Sequence, residues 1–332
     1  MGRESRLNLS ARFPEVPPTP DGAPPIEHMT DKERSASGAI AQRKPVFSIL
    51  SPVFNSSAFV RRSYYTLKSQ SFTDWEWIVV DDGSTDNTVE VVNAISDPRI
   101  RLFSYTPNRG RGHARNLALD ASRGDWMVVW DIDDMYFPDR LERINRARLE
   151  GFDFCCSYAV VVDNDLVIKG VRGFHPRSPG LPRYFVHPTL ACRLSIAREI
   201  GYDPAFRLGE DAPITWGLDD NYRGCFIDEA LMIYQEEREA NVEKALAANV
   251  MQLVQIRRLY RRGMIKAGLI ERVALLAKWN LKQLVLRLMR RVPSLYRVTL
   301  SFRSYGVTAE NWRLSPERIA FLEDLRSRTD FS

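Results

Sequence analysis

Asp131, Asp133 and Asp134 fall within the run Asp131-Ile132-Asp133-Asp134, directly after the apolar stretch WMVVW. An Asp-x-Asp pair at a strand end can set one carboxylate on a divalent cation and the other on a sugar hydroxyl. Mg²⁺ and Mn²⁺ favour oxygen ligands and complete their shells with water and phosphate oxygens. A cation held in this way can bridge a diphosphate and take up charge as that group leaves. A second acidic turn, Asp81-Asp82, ends another apolar run, and Glu210-Asp211 leads into a helical pattern. Carboxylates gathered at strand ends repel one another unless a cation or ligand donors compensate. Taken alone, Asp-x-Asp is a weak signal, more often a solvated loop than a site.

Elements of a particular kind must position these acids. VFSILSPVFN (46–55) is an apolar run that reads as a buried strand, and residues 57–70 read as an amphipathic helix. WEWIVVDDGS is a second strand, TDNTVEVVNAI a helix with a cap-like start, RIRLFSYT a third strand, GHARNLALDAS a helix, and WMVVWDIDD a fourth strand. This alternation predicts an α/β fold with a Rossmann-like, mostly parallel sheet covered by helices on both faces. Functional groups in such sheets collect beyond the carboxyl ends of the strands, where Pro52, Asp81/Asp82 and Asp131/Asp133/Asp134 stand. Further on, FCCSYAVVVDNDLVIKG reads as two strands joined by an Asn-Asp turn, and RGCFIDEALMIYQ as a closing strand. The predicted organisation is a Pro-rich tail over 1–44, a catalytic-type domain over 45–237 with halves 45–141 and 142–237, and a basic helical region over 238–332.

Composition narrows the class. Of 332 residues, 44% are hydrophobic and 27% charged, as in a globular enzyme. Cys155, Cys156, Cys192 and Cys225 include no CxxC spacing, which argues against a zinc ribbon or a thioredoxin-type centre. The opening residues lack an apolar h-region and no run of 18 apolar residues occurs, so neither a secretory signal nor a transmembrane helix is predicted. The net charge of +5 is uneven: residues 251–304 hold 13 Lys/Arg against one acid, or +12, leaving −7 elsewhere. Such a segment suits an anionic partner. Its lack of interleaved aromatics and of any nucleic-acid-binding signature predicts no nucleic acid, and no GxGxxG follows the first strand.

Together the motifs are specific. SILSPVFNSSAFVRRSYYTLKSQSFTDWEWIVVDDGSTDNT and NRGRGHARNLALDASRGDWMVVWDIDDMYFPDRL resemble family 2 of the nucleotide-sugar glycosyltransferases, with the GT-A fold, over about residues 46–141. REIGYDPAFRLGEDAPITWGL (198–218) resembles the family's acceptor-side segment. The resemblance implies that Pro52 and Val53 meet the uracil and ribose. Asp82 matches the carboxylate that binds the uracil, Asp81 being more often architectural. Arg115 matches a basic residue near the nucleotide, Asp131 a ribose contact and Asp133 the metal ligand. Asp134 either shares the metal or orients the loop. Asp211 matches the general base, with Glu210 beside it as the other candidate. A position before Ala212-Pro213 also suits a helix N-cap. The implied reaction is metal-dependent (Mn²⁺ or Mg²⁺) and inverting, from a nucleotide sugar, with UDP-sugar preferred, to a glycan or lipid-linked acceptor in cell-surface polysaccharide synthesis. The implied location is cytoplasmic, peripheral to the inner face of the plasma membrane. An inactive nucleotide-sugar-binding or scaffolding protein of the same fold is the rival expectation.

The sequence departs from the family in places. It has no QxxRW motif, which predicts one sugar per encounter rather than a polymer, and Tyr234-Gln235 stands where a Tyr-Arg is usual. His187 either lines the acceptor cleft, ligates metal or is a structural loop histidine. Trp216 either stacks on an acceptor sugar or belongs to the core. In the basic segment Leu281, Leu284, Val285, Leu288 and Val292 share one helix face, with Lys282, Arg287, Arg290 and Arg291 beside and behind it. That face predicts either an anionic membrane surface or packing on the catalytic domain. Trp279 and Leu286 lie off it, which argues for contacts on both sides.

Overall fold

The computed structural model describes residues 44–173, 185–206, 209–235, 242–261, 263, 268–292, 314–328 and 331. Except for Lys44, the expected Pro-rich tail lies outside the described residues, as does the stretch 174–184. The strands are β1 (Phe47–Val53), β2 (Trp75–Asp81), β3 (Ile100–Ser104), β4 (Trp126–Val129), β5 (Met135–Tyr136), β6 (Phe154–Val162), β7 (Ile168–Arg172), β8 (Ala191–Arg193) and β9 (Gly224–Gln235). The helices are α1 (Ser57–Lys68), α2 (Thr88–Asn93), α3 (Arg111–Ala121), α4 (Arg140–Leu149), α5 (Leu194–Ile200), α6 (Ala212–Asn221), α7 (Val242–Arg261), α8 (Leu269–Arg291) and α9 (Pro316–Ser327).

Among the described residues one sheet runs β3-β2-β1-β4-β8-β6-β9-β5, with β7 on β6. β3, β2, β1 and β4 pair in parallel, as the alternation of strands and helices requires. Beyond β4 the pairing is mixed: β8 is antiparallel to β4 and β6, while β9 is parallel to β6. Only β5, β7 and β8 oppose β1, so the sheet is mostly parallel in direction but not in its ladders. The very short β5 and β8 carry too few residues to show a period in sequence.

The continuous apolar runs follow from burial on both faces. Side chains alternate across a strand, so Ile49, Trp77 and Val79 join one core with Val60, Leu67 and Leu141 of α1 and α4. Leu50, Ile78 and Val80 join the opposite core with Ala114, Ala118, Ala197 and Leu218 of α3, α5 and α6. The serines inside β1 are paired: Ser48 Oγ donates to Glu76 (2.7 Å), and Ser51 Oγ accepts from Trp77 Nε1 (2.8 Å). Buried hydroxyls with such partners avoid the cost of desolvation. Cys155, Cys156 and Cys192 are buried free thiols that pack as small hydrophobes.

The C-terminal helices pack on this frame. α7 buries Leu253, Ile256 and Leu259, and its Gln255 Nε2 donates to Gly209 O at 2.6 Å. α9 falls in the predicted helical region over 238–332, though its bounds were not among the expectations. Its signal is Ser315-Pro316, with Ser315 Oγ accepting from Arg318 N and proline in the first turn. Leu322 and Leu325 of α9 pack with Met135 and Phe137, and Arg318 pairs with Asp139 (2.7 Å) and Glu229 (2.8 Å). α8 packs through Leu275 and Leu286, whereas Leu281, Leu284, Val285, Leu288 and Val292 are exposed. The off-face Leu286 is thus a buried contact, and the predicted apolar face points outward. Among the described residues no helix is long and apolar enough to cross a membrane.

Candidate active site

The carboxyl edge of β1, β2 and β4 opens into a cleft of about 1080 Å³. It is walled by Pro52, Val53 and Asp82 on one side and by Glu210, Asp211 and Trp216 on the other, with Asp131, Asp133, Asp134, Arg115 and His187 also lining it. The structure therefore brings every candidate residue to one cavity, although the sequence separates Pro52 from Trp216 by about half the chain.

The loops after β1 and β2 are latched together. Asn55 adopts φ of 49°, a conformation asparagine tolerates. Its backbone N donates to Ser84 Oγ (2.9 Å), and its Oδ1 accepts from Thr85 N (2.8 Å). Asp82 N donates to Val53 O at 2.8 Å, which fixes the first two strand ends in register. The Asp82 carboxylate accepts from Tyr105 Oη (2.8 Å), Arg109 N (2.7 Å) and Gly110 N (2.9 Å). It thus anchors the loop that opens α3, a role the sequence did not show. Asp81 accepts from Ser84 N (3.1 Å) and Ser104 Oγ (2.8 Å), as an architectural residue would. Gly83 has φ of 78°, and a Cβ there would stand 3.1 Å from Asn108 N, so the turn requires glycine.

The acidic loop after β4 is pinned by its backbone. Asp131 N donates to Tyr136 Oη (2.8 Å), Asp134 N to Asp131 O (3.2 Å), and Arg62 Nη2 to Asp133 O (3.2 Å). Arg62, on α1, gave no sequence signal because only the tertiary fold brings it here. Burial is the largest influence and opposes ionisation of Asp131, but the charge and hydrogen bond of Arg115, with further nearby positive charge including Arg111, together outweigh it and hold the carboxyl below the usual range. Asp133 is raised, by burial of its surroundings and by Asp131. Asp134, buried beneath, is pushed well up by burial and by both neighbouring acids. The exposed Asp133 is thus the carboxylate of the three that reaches open space. Among the described residues no three His, Cys, Asp or Glu side chains are grouped to hold a metal by themselves. An all-oxygen set with one outward carboxylate fits Mg²⁺ or Mn²⁺, which take few protein ligands and fill the shell with water and phosphate.

Arg115 joins the two halves of the site. It is 3% exposed and donates from Nη2 to Asp131 (2.9 Å) and from Nη1 to Glu210. Its guanidinium faces these two acids and links the strand-end loop to the segment before α6. Glu210 is 1% exposed and also meets Arg111 at 3.3 Å. Both arginines meet Oε1, and Oε2 has no hydrogen-bond partner among the described residues. Asp211 occupies the N-cap position of α6, yet its side chain makes no capping bond, so it is not committed to the helix. Burial and the Glu210 charge raise its carboxyl, which suits a base more than a solvated surface acid. His187 Nε2 lies 3.1 Å from Tyr202 Oη, and burial and Arg115 push its pKa well below the ordinary value, leaving a neutral imidazole. Trp216 lines the cleft and packs, partly buried, against Ala212 and Leu259. The sequence reading did not place Lys278 and Trp279 of α8 in the cleft wall, where they stand.

Replacing Arg115 by Met is expected to destabilise the protein by about 3–5 kcal/mol, because the buried Glu210 and the partly buried Asp131 lose their counter-charge. Arg111→Ala, which removes a half-exposed pair, should cost under about 1 kcal/mol. Urea unfolding of both variants measures the difference, and equal losses would show that the Arg115 bridge is not the stabilising contact.

A twisted α/β sheet with an acid-lined cleft across the carboxyl ends of its parallel strands defines a GT-A glycosyltransferase fold. Residues 48–192 match the model of glycosyl transferase family 2, so the chain carries a domain of that family over this segment. It is 33% identical over 188 residues to the succinoglycan biosynthesis protein ExoO of Rhizobium meliloti, an alignment covering 50% of this chain and 53% of that protein. The chain therefore spans about half the length of that relative. Among solved structures, S. aureus TarS in complex with UDP aligns with a TM-score of 0.54 at 21% identity, over 70% of each chain. The Pyrobaculum calidifontis mannosyltransferase PcManGT, in complex with GDP-Man and Mn²⁺, aligns with a TM-score of 0.54 at 14% identity, over 90% of this chain and 87% of that one. At these identities the structural likeness speaks for the fold.

Proposed function

We propose that the protein transfers a single sugar from a nucleotide sugar, preferably a UDP-sugar, to a hydroxyl of a glycan or lipid-linked acceptor in polysaccharide synthesis, with inversion at the anomeric carbon. The observation that carries this reading is the placement of the uncommitted Asp211 carboxylate across one cleft from Pro52, Val53, Asp82 and the Asp131–Asp134 loop. The fold likeness to a UDP complex and to a Mn²⁺-containing mannosyltransferase supports the donor class and the cation.

In this reading Pro52, Val53 and the Asp82-anchored loop receive the nucleoside, and Asp131, oriented by Arg115, meets the ribose. Asp133 would hold the divalent cation, which when bound supplies charge neutralisation to the departing diphosphate. Asp211 accepts the proton of the acceptor hydroxyl as its oxygen bonds to the anomeric carbon and the bond from that carbon to the diphosphate oxygen breaks. One displacement without a covalent intermediate inverts configuration. Glu210 raises the basicity of Asp211 by charge proximity. The basic stretch 251–304 serves an anionic membrane surface, on the cytoplasmic side where nucleotide sugars are made.

A panel of nucleotide sugars with Mn²⁺ or Mg²⁺, scored by release of nucleotide diphosphate with and without acceptor, tests this. Cation-dependent release that favours one UDP-sugar is expected. Tight donor binding with no release under any condition would favour the nucleotide-sugar-binding rival, and absence of both would overturn the reading.

A further inference from the structure

Asp211 makes no capping bond, so the backbone turn that carries it sets where its carboxylate points. Gly209 O closes that turn, accepting from Ala212 N at 3.1 Å across Glu210 and Asp211. A second backbone bond ties the turn down, from Asp203 N to Glu210 O at 3.0 Å. On one side stands α3. A Cβ on its Gly112 would come within 3.0 Å of Asp203 O and 3.2 Å of Glu210 Cβ, so the helix leaves the turn no room to retreat.

On the other side stands α7. Gln255, 3% exposed, donates from Nε2 to the same Gly209 O at 2.6 Å. Arg258 pairs with Asp203 at 3.3 Å and lies 5.1 Å over the Phe206 ring, while Leu259 packs with Ala212. Positions 255, 258 and 259 share one helix face. That face meets the chain before the turn at Asp203, on the turn at Gly209 and after it at Ala212.

The contact at Gly209 is the directed one. A carbonyl oxygen has two lone pairs, and those of Gly209 are both engaged, one by the turn itself and one by α7. Gly209 has φ of 74°, and a Cβ there would meet the Gln255 amide, so both the backbone and the neighbouring helix require glycine. A base has to stand within about 0.5 Å of its productive position, and a displacement of about 1 Å costs on the order of 10²-fold in rate. The orientation of the Gly209 carbonyl, two residues before Asp211, is therefore a lever on the reaction.

We propose that Gln255 is a positioning residue for the transfer: its amide holds the Gly209 carbonyl and so aims the Asp211 carboxylate, and the helical region after β9 completes the site through α7. The catalytic part rests on the reading of Asp211 as the base given above; the clasp between α7 and the turn does not.

Gln255→Met and Gly209→Ala, singly and together in the full chain, test this. Methionine keeps the length of the side chain and removes the donor, whereas alanine at 209 displaces the same amide from the other partner. Gln255→Met is expected to lower kcat for transfer by about 10–100-fold. Donor KM and UDP affinity by calorimetry should stay unchanged, because Pro52, Val53 and Asp82 form the opposite wall. Gly209→Ala should lose a comparable amount, and the double variant no more than the worse single one, since both break one contact. Unchanged kcat in Gln255→Met, losses that multiply in the double variant, or a fall in UDP affinity matching the fall in kcat would overturn the proposal. Hydrogen exchange reads the clasp without turnover. The Ala212 amide should exchange at least about tenfold faster in Gln255→Met, with β1, β2 and β4 unaffected, and unchanged exchange there would overturn the clasp. Faster exchange in Gln255→Met, beside a natural protein that transfers no sugar or an Asp211→Asn variant that still turns over, would fault the functional reading and leave the clasp standing.

Discussion

Asp211→Asn is expected to lower kcat by about 10²–10⁴-fold, the usual cost of a lost general base, while leaving UDP affinity unchanged. The amide keeps the shape of the carboxylate but cannot accept a proton, and the side chain makes no capping bond whose loss would disturb α6. In free energy the loss is about 3–5 kcal/mol of transition-state stabilisation. The same residue sets a pH dependence. Burial and Glu210 raise its pKa, and the base acts only when deprotonated. Activity should therefore fall as the pH drops through a value above the ordinary aspartate pKa of about 3.9. Glu210→Gln removes a neighbouring negative charge and should move that acid limb to lower pH, with Asp211→Asn abolishing it. Steady-state kcat and kcat/KM measured from acid to neutral pH, beside UDP calorimetry, check both expectations. Near-normal turnover in Asp211→Asn would place the base elsewhere.

Asp133→Ala is expected to abolish the dependence of UDP binding on Mn²⁺ while preserving the fold. All three acids of the loop line the cleft, but Asp131 is bound to Arg115 and Asp134 is buried, so Asp133 is the most exposed and the least engaged of them. Its backbone carbonyl, held by Arg62, remains in place when the side chain is cut. Calorimetric titration of UDP with and without Mn²⁺ should show a cation-induced gain of at least about tenfold, or 1.4 kcal/mol, in the natural protein and none in the variant. An equal gain in both would remove Asp133 from the cation site. Thermal melts without cation should show the variant at least as stable, because removing one carboxylate relieves repulsion with Asp131 and Asp134.

The fold was legible where local pattern and burial coincide. β1, β2 and β4 lie inside two cores, so their sequences had to be apolar on both faces, and the acids could appear only after the strands ended. The helices between them had to alternate with the strands for the ladder to be parallel. The later half was less legible. β5 and β8 are two and three residues long, shorter than any period that could announce them, and their antiparallel pairing depends on where β4 and β9 lie in space. α9 carried a readable N-cap, Ser315-Pro316, but its place against Phe137 is a long-range contact that no local pattern encodes.

The site divides in the same way. Local pattern sets which carboxylates the strand ends carry, because strand ends are where a buried run must give way to polar residues. It also sets the apolar face of α8, since that depends on helical spacing alone. What those groups do follows from long-range packing. Arg115, expected near a nucleotide, lines the cleft as a bridge between Asp131 and Glu210, because α3 and the segment before α6 converge on it. Asp211 was left uncommitted when its neighbour took the arginine, and α8 turned Trp279 and Lys278 toward the cleft and its leucines outward. The spacing of residues fixes which side chains share a face, but the direction that face points is set by what packs against the other side.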